Sequence, residues 1–312
     1  MPDVRVADRQ WAVPSGSNLL DALNQAGMRV PFSCRAGSCH ACLVRCTQGE
    51  PLDRLPEALD PGKRQQGWRL SCQCQVVQDL TVEVFNPLRD GLPALVCGVD
   101  WLSPTVLRLR LAPTLALRYR AGQHVVLWTA NGIARPYSLA SLPGEDEFLE
   151  FHLDCRHSGA FCDVARQLQV GDPVRLGELR GGALQYDADW QERPLLLMAA
   201  GTGLGPLWGV LREALRQDHQ GPIRLVHLAR DSSEHYLAET LATLAAEHPQ
   251  LNIQLTTPED SPTVLADLRL LSRRTMALVC GSPASVEGFA KRLYLAGLPR
   301  NQLLADVFVG RE

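Results

Sequence analysis

Long apolar runs are missing from this sequence: no uninterrupted stretch approaches the roughly 20 residues that cross a bilayer as a helix. The first residues, 1–5, contain no apolar segment of a secretory signal, so we expect a cytoplasmic protein. A charge excess is also missing, because 31 basic and 34 acidic residues leave a formal net charge of −3. We therefore expect neither a nucleic acid nor an anionic membrane as the partner.

Cysteine, in contrast, is abundant, with ten residues among 312. In a reducing compartment these thiols are expected to be metal ligands and core residues and not disulfides. The length predicts two or three domains, because single cores rarely grow this large.

Three of the cysteines lie in one short loop. Cys34, Cys39 and Cys42 have the spacing C-x4-C-x2-C, and candidates for one more ligand follow after a long gap. This is the ligand pattern of a plant-type [2Fe–2S] cluster, which needs four thiolates. A zinc site would be expected to use a second C-x2-C pair, and thiols that only fill a core poorly explain three in one loop.

The fourth ligand has two candidates, Cys72 and Cys74. Alternation along a strand would point both side chains to the same face, so facing alone does not separate them. Cys72 comes first and precedes the strand-like run 75–77, and we predict it as the ligand. Cys74 and Cys46 are then expected to be packing thiols.

Hydrophobic periodicity predicts a multidomain fold, α+β followed by α/β, with domains at 1–87, 94–187 and 192–312. In the first domain we predict a hairpin over 4–13, a helix through 19–26, a strand at 43–46, a short helix at 56–60 and a strand at 80–84. A linker is predicted at 86–93. The second domain has short strands between Pro, Gly and Asn, as in an antiparallel barrel, and one helical segment at 159–170. In the third, strands alternate with helices, which predicts a parallel sheet.

A glycine-rich loop follows the buried strand 194–200 and opens a helix. Small residues in that context let backbone amides reach a pyrophosphate at the helix N-terminus. The residues concerned are Gly201, Thr202, Gly203, Gly205 and Pro206. Because Pro206 replaces the third glycine of the dinucleotide fingerprint, a turn that serves only packing stays open as an alternative.

A second motif, Arg135-x-Tyr137-Ser138, lies in the barrel-like region. An arginine can bind a phosphate with two hydrogen bonds. The tyrosine can pack on a flavin, and the serine can bond to the edge of its ring. A solvated arginine on a barrel surface is the alternative.

Together these motifs resemble the ferredoxin–NADP reductase superfamily, with R-x-Y-S at 135–138, the glycine-rich loop at 201–206, C-G-x-P at 280–283 and an acidic-x-aromatic ending at 306–308. Residues 1–87 resemble a plant-type ferredoxin. An N-terminal ferredoxin joined to such a module is similar to the reductase components of bacterial multicomponent oxygenases, of the benzoate dioxygenase and soluble methane monooxygenase type.

The resemblance implies a β-grasp ferredoxin domain, an antiparallel β-barrel flavin domain and a parallel-sheet nicotinamide-binding domain. It implies a [2Fe–2S] cluster, FAD and NADH or NADPH as cofactors. The implied activity takes a hydride from NAD(P)H onto FAD and passes single electrons through the cluster to a partner oxygenase. Arg230 could bind the 2′-phosphate of NADPH, but Asp231 beside it opposes this, and NADH is favoured.

Carried over by position, the resemblance also implies residue roles in the flavin domain. Arg135 would contact the flavin phosphates, Tyr137 would pack on the flavin, and Ser138 would lie near its N5 atom. Gly159 and the helix after it would receive the pyrophosphate, with Cys162 where the family has Ser or Thr. The following loop, which contains Glu178, lacks the Gly-Pro pair common in relatives, and a carboxylate would oppose a pyrophosphate there.

In the third domain, the resemblance places Cys280 at the nicotinamide side of the flavin and Phe308 on its ring, with Asp306 in the position of a family glutamate. Ser138, Cys280 and Phe308 are therefore the predicted catalytic residues. Two other functions stay open. The same cofactors could serve another acceptor, such as a ferredoxin, a sugar-deoxygenating partner or free flavin. Alternatively, the chain could be a non-enzymatic metal-binding or redox-sensing adaptor.

Overall fold

The computed structural model describes residues 1–181, 183–261, 263, 270 and 272–309. Packing divides the chain into two units. Unit 1 contains residues 1–93, 125–136 and 174–180, and unit 2 contains residues 94–124, 137–173 and 181–312. Within the described residues, no helix has both the length and the apolar character needed to cross a membrane.

The first 93 residues form a five-stranded sheet, a small three-stranded sheet and one main helix. The elements are β1 (Asp3–Val6), β2 (Arg9–Ala12), β3 (Ser17–Asn18), α1 (Leu19–Gln25), β4 (Leu43–Gln48), β5 (Leu52–Asp53), α2 (Pro61–Gln65), β6 (Trp68–Leu70), β7 (Cys74–Val76), β8 (Leu80–Val84) and α3 (Pro87–Asp90). The sheet orders are β2-β1-β8-β4-β6 and β3-β7-β5. The β1–β2 hairpin is antiparallel, as predicted, and β1 pairs in parallel with β8. Helix α1 begins after Asn18, whose side chain caps it, and buries Leu19, Leu20 and Leu23 completely.

Two predictions for this part differ from the structure. The segment 86–93, predicted as a linker, contains α3, because the side chain of Asn86 accepts a hydrogen bond from the first turn. The helix predicted at 56–60 is a 3-10 turn, Pro56–Ala58, followed by α2, which Asp60 caps. In both places, a side-chain cap starts a helical turn in a segment of loop-like composition.

Residues 92–180 supply two groups of strands and one short helix. The elements are β9 (Leu92–Trp101), β10 (Val106–Pro113), β11 (His124–Trp128), β12 (Ala134–Ser138), β13 (Leu149–Asp154), α4 (Ala160–Ala165) and β14 (Pro173–Arg180). In unit 2, β10 pairs antiparallel with both β9 and β13, and Leu109 lies opposite Val99 and Phe151. In unit 1, β11 lies between β12 and β14. Helix α4 is shorter than the predicted 159–170, because the chain turns after Arg166, whose guanidinium donates to backbone carbonyls of the preceding loop.

The last part is a five-stranded parallel sheet with helices between its strands. The elements are β15 (Leu195–Ala200), α5 (Leu204–Arg216), β16 (Ile223–Leu228), α6 (Ala238–Glu247), β17 (Leu251–Thr256), β18 (Met276–Gly281), α7 (Pro283–Leu295) and β19 (Leu303–Val307). The order is β17-β16-β15-β18-β19 with parallel pairing throughout. The first five of the six residues of β15 are buried, as the continuous apolar run predicts. The predicted fold class, α+β followed by α/β, is confirmed.

Candidate functional site

The four predicted cluster thiols lie together in unit 1 as two hydrogen-bonded pairs. Cys34 pairs with Cys39, and Cys42 pairs with Cys72. Cys39 and Cys42 are buried, whereas Cys34 and Cys72 are partly exposed. Among the described residues, no group of three or more His, Cys, Asp or Glu side chains is placed to hold a single metal ion. Two pairs of thiols fit a centre of two irons with four cysteine ligands.

N–H groups already point at these sulfurs. The amides of Ala36 and Cys39 donate to Cys34 Sγ at 3.3 Å, and Gln73 Nε2 donates to Cys72 Sγ at 3.3 Å. The hydrogen bond from the partner thiol, helped by these N–H groups, lowers the pKa of Cys34 to about 4 and that of Cys72 to about 7. The pKa of each partner is raised, because the partner keeps the shared proton. This environment favours thiolates, the form that binds iron, and fits a [2Fe–2S] cluster.

The backbone of the cysteine loop is fixed by its conformation and contacts at positions 35 and 37, which few other residue types could adopt. Gly37 has a φ of +82°, and a Cβ atom at this position would lie 2.6 Å from the side chain of Leu55. Arg35, with a φ of +53°, forms an ion pair with Asp21 and accepts a 2.8 Å hydrogen bond from Gln73 Nε2 at its carbonyl. The loop therefore contains two residues with positive φ, a strained conformation for arginine, and side-chain contacts hold the loop in this shape.

Cys72 and Cys74 have different local structure and surroundings. Cys72 lies in a 3-10 turn, Ser71–Gln73, so the expectation that both residues share one strand and one face was wrong. Cys74 begins β7 and is fully buried, and burial raises the pKa of its thiol, with Asp53 and Cys46 nearby. The structure therefore places Cys72 against the cysteine loop and Cys74 in the core.

The predicted flavin motif lies on β12, an element that the sequence did not predict as a strand. Arg135 is half-buried, and its Nη1 donates to the preceding carbonyl at 2.8 Å. Tyr137 packs its ring against Phe161 of α4, with ring centroids 4.9 Å apart. Gly159 caps α4, and a Cβ atom added there would meet no atom within 4 Å, so the space in front of it is open. Ser138 ends β12 and is half-buried.

Cys162 forms a further thiol pair, with Cys155 in unit 2. The hydrogen bond from Cys155 lowers the pKa of Cys162 to about 7 against the effect of burial, and Tyr137 and Arg166 add to this. The pKa of Cys155 is raised, because it holds the shared proton. The position that carries a hydroxyl group in the resembling family therefore holds a readily ionised thiol here.

We expect Cys162 to react with iodoacetamide with a pH midpoint of about 7, because the thiolate is the nucleophile and its folded-state pKa is lowered to about 7. Half-buried Cys97, whose pKa burial raises, is the matched control and should react only at higher pH. Peptide mass spectrometry of the native protein between pH 5.5 and 9.5 measures both. A midpoint for Cys162 as high as that for Cys97 would contradict the assignment.

The glycine-rich loop joins β15 to α5 at the carboxyl edge of the parallel sheet. Gly201 has a φ of +54°, and a Cβ atom there would meet nothing within 4 Å. At Gly203, a Cβ atom would lie 2.3 Å from the carbonyl oxygen of Cys280. Packing against β18 thus requires Gly203, whereas the space at Gly201 is open, as an approaching ligand would need. His227 Nε2 donates to the Gly201 carbonyl at 3.1 Å, and burial lowers the pKa of this histidine to about 4.

The other residues predicted to bind the nucleotide also lie just after strands of the parallel sheet. Thr202 lies in the 3-10 turn before α5, and Gly205 and Pro206 are buried in the first turn of α5. Arg230 is exposed two residues after β16. This edge therefore gathers the backbone amides that open α5 and an exposed guanidinium from the neighbouring strand end.

Cys280, Asp306 and Phe308 meet at the ends of β18 and β19. Cys280 is fully buried and lies opposite Asp306 in the parallel register. Burial raises the pKa of both side chains, and the carboxylate raises that of the thiol further. The amide of Phe308 donates to the Gly281 carbonyl at 2.8 Å. The two strand ends therefore hold a neutral thiol and an aromatic side chain on adjacent backbone segments.

Sequence reasoning missed Glu234, a nearly buried carboxylate in the loop after β16. Ser103 Oγ donates to its Oε2 at 2.9 Å, the Thr105 hydroxyl donates to the same atom, and Arg156 Nη2 lies 3.9 Å away. Both hydroxyls come from the turn between β9 and β10, 131 and 129 residues earlier. No local pattern reveals a contact of that separation.

The comparisons with known proteins agree with this geometry. A 2Fe-2S iron-sulfur cluster binding domain matches residues 4–77, and an oxidoreductase NAD-binding domain matches residues 197–291. The ferredoxin–NAD(P)+ reductase component of the naphthalene 1,2-dioxygenase/salicylate 5-hydroxylase systems of Ralstonia sp is 30% identical over 312 residues, which cover 94% of each chain. The chain belongs to the family of ferredoxin–NAD(P)+ reductase components of oxygenase systems. The predicted resemblance is thus confirmed.

Solved structures place the reductase in the same fold. A crystal structure of an Amycolatopsis cytochrome P450 reductase is 26% identical and superposes with a TM-score of 0.63 over 99% of each chain. A ferredoxin reductase in carbazole 1,9a-dioxygenase, described in its FAD apo form, is 21% identical with a TM-score of 0.64 over 98% of each chain. The matched domains and the Ralstonia relative together make the reductase an oxidoreductase with an iron–sulfur domain and a nicotinamide-binding domain.

Proposed function

We propose that this reductase takes a hydride from NADH onto FAD and passes single electrons through a [2Fe–2S] cluster to the oxygenase component of its own system. The observation that supports this most directly is the presence, in one chain, of four paired thiols and a nucleotide-type glycine loop on a parallel sheet. When bound, the nicotinamide supplies two electrons as a hydride, and the flavin and the cluster together allow them to leave one at a time. NADH is preferred because exposed Asp231 next to Arg230 would repel a 2′-phosphate.

In the iron–sulfur part, the proposed ligands are Cys34, Cys39, Cys42 and Cys72. The N–H groups that point at Cys34 and Cys72 orient the sulfurs and stabilise their negative charge. Cys74, buried elsewhere in the core, takes no part.

In the flavin part, Arg135 would bind the phosphates. The open space at Gly159, where α4 begins, would admit the pyrophosphate near the Cys162 thiol. Tyr137, held by Phe161, would pack on the flavin. Ser138 would lie near the N5 atom, to which its hydroxyl could donate a hydrogen bond.

In the nicotinamide part, the amides of the loop 201–206 bind the pyrophosphate. Cys280 packs at the nicotinamide face, where its raised pKa keeps it a neutral thiol. Phe308 would stack on the flavin ring, and the 2.8 Å bond between its amide and the Gly281 carbonyl positions its backbone.

We also propose three functional domains, at 1–87, 94–187 and 192–312, and a cytoplasmic location. All ten cysteines lie in the described part of the chain as free thiols, which suits a reducing compartment. The proposed partner is a protein that accepts one electron at a time and not a nucleic acid or a membrane.

Absorbance of the purified protein tests the proposed function. We expect flavin peaks and iron–sulfur bands that both bleach when NADH is added without oxygen, and a smaller kcat/KM with NADPH than with NADH. Adding candidate acceptors then distinguishes an oxygenase component from a ferredoxin or free flavin by their rates of reduction. Colourless or zinc-loaded protein would contradict the enzyme and support an adaptor.

A further inference from the structure

Unit 1 contains a seam between the cluster-bearing residues 1–93 and the strands β11, β12 and β14. Phe85, directly after β8, stacks on Trp128 of β11 with ring centroids 5.2 Å apart and an interplanar angle of 19°. Trp68 of β6 also packs against Phe85, with ring centroids 6.1 Å apart. Phe85 and Trp128 are 7% and 5% exposed, so the seam belongs to the core of unit 1.

Beside these rings lies an ion pair that the proposed function does not use. Lys63 Nζ of α2 contacts Glu178 Oε1 of β14, and the two side chains are 35% and 13% exposed. Arg180 Nη2 lies 3.6 Å from the other carboxylate oxygen of Glu178. The carboxylate that would oppose a pyrophosphate is thus neutralised by α2, in the part of the chain that holds the cluster thiols.

The glycine next to this carboxylate makes room for the seam. A Cβ atom at Gly177 would lie 3.0 Å from Trp128 Nε1 and 3.3 Å from the Cβ of Val126. Gly177 leaves room for the Trp128 ring. Glu178, the residue at which this loop departs from the pattern common in relatives, forms an ion pair with Lys63.

We infer that Lys63 and Glu178 are positioning residues, which hold the iron–sulfur part of the chain in a fixed register on β14, the strand beside β11. This inference rests on the proposed function, because transfer between two bound cofactors falls steeply with their separation. The aromatic stack stabilises the contact but does not fix its geometry, because hydrophobic burial is non-directional. The partly buried ion pair fixes both the position and the orientation of α2 on β14.

A double-mutant cycle tests the inference. Lys63→Met removes the charge but keeps the stem, Glu178→Gln keeps the shape of the carboxylate, and the double variant removes both charges. We expect each single variant to slow NADH-driven bleaching of the iron–sulfur bands by about fivefold or more, with NADH–ferricyanide activity unchanged. The double variant should lose less than the product of the two single effects, and Lys63→Arg should retain the wild-type rate.

Hydrogen exchange provides a readout that needs no cofactor. In Lys63→Met, amides of α2 and β14 should exchange faster, in protein with and without its cofactors. The chain has two lysines, and exposed Lys291 on α7 gives the matched control Lys291→Met, which makes the same charge change and should alter neither readout.

The outcomes separate this inference from the proposed function. Purified protein that contains neither flavin nor iron would contradict the proposed function, but the hydrogen-exchange test of Lys63→Met would still apply. Exchange and bleaching rates equal to wild type in both single variants would overturn the role of the pair. An equal fall in ferricyanide activity and bleaching would also overturn it, because that pattern indicates general damage.

Discussion

Replacing Cys72 by serine is expected to abolish the iron–sulfur bands, whereas replacing Cys74 by serine is expected to keep them. Cys72 forms a thiol pair with Cys42 and accepts a bond from Gln73, as a ligand position requires. Cys74 is fully buried on β7 and does not belong to either pair. NADH–cytochrome c reduction by Cys72→Ser should fall by more than about 100-fold, since even the loss of groups that only support a metal ligand can cost that much.

Iron and acid-labile sulfide content, together with the two NADH activities, measure this prediction. Ferricyanide reduction, which draws electrons directly from the flavin, should stay near the wild-type rate in both variants. Cys74→Ser should lower the free energy of unfolding by about 1–2 kcal/mol, because a hydroxyl is buried in an apolar site. Loss of iron from Cys74→Ser, with full iron in Cys72→Ser, would reverse the assignment.

Gly203→Ala is expected to lower the free energy of unfolding by about 3 kcal/mol and NADH turnover by at least about tenfold. The new Cβ atom would lie 2.3 Å from the Cys280 carbonyl oxygen and 2.6 Å from its carbon, and both are backbone atoms of a central strand. Either the loop or β18 must move, and the loop that binds the pyrophosphate moves with it. Denaturant unfolding and steady-state kinetics measure the two effects.

Gly288→Ala, at an exposed position of α7, is the matched control. A Cβ atom there would meet no atom within 4 Å, and alanine favours a helix interior over glycine. This variant should keep both stability and turnover. If Gly203→Ala behaved like Gly288→Ala, the close approach of the glycine-rich loop to β18 would not be a constraint on sequence.

The periodic segments of the fold could be predicted because their signal is local. The hairpin at 4–13, the helix from Leu19 and the run at 195–200 each show a face or a buried run within a few residues. Strand β12 was missed because Pro136 and a motif of polar residues hide it, although pairing with β11 determines its conformation. Helix α4 was predicted too long, because apolar spacing continues to Leu168 while Arg166 turns the chain.

Part of the candidate site could likewise be predicted because its signal is local. The spacing of Cys34, Cys39 and Cys42 places three thiols in one loop, and the structure pairs the predicted fourth thiol, Cys72, with Cys42. The roles of Arg135, Ser138 and Phe308 stay predictions. The pair Lys63–Glu178 could not be found beforehand, because 115 residues separate its members.

The Glu234 contacts have a consequence for how a nucleotide enters. Swinging the loop after β16 away from the β9–β10 turn would strip a nearly buried carboxylate of two hydroxyl donors, at a cost of about 1–3 kcal/mol for each unsatisfied group. Hinge opening at this point is therefore disfavoured. An entering nucleotide would therefore meet a loop that is already fixed against the β9–β10 turn.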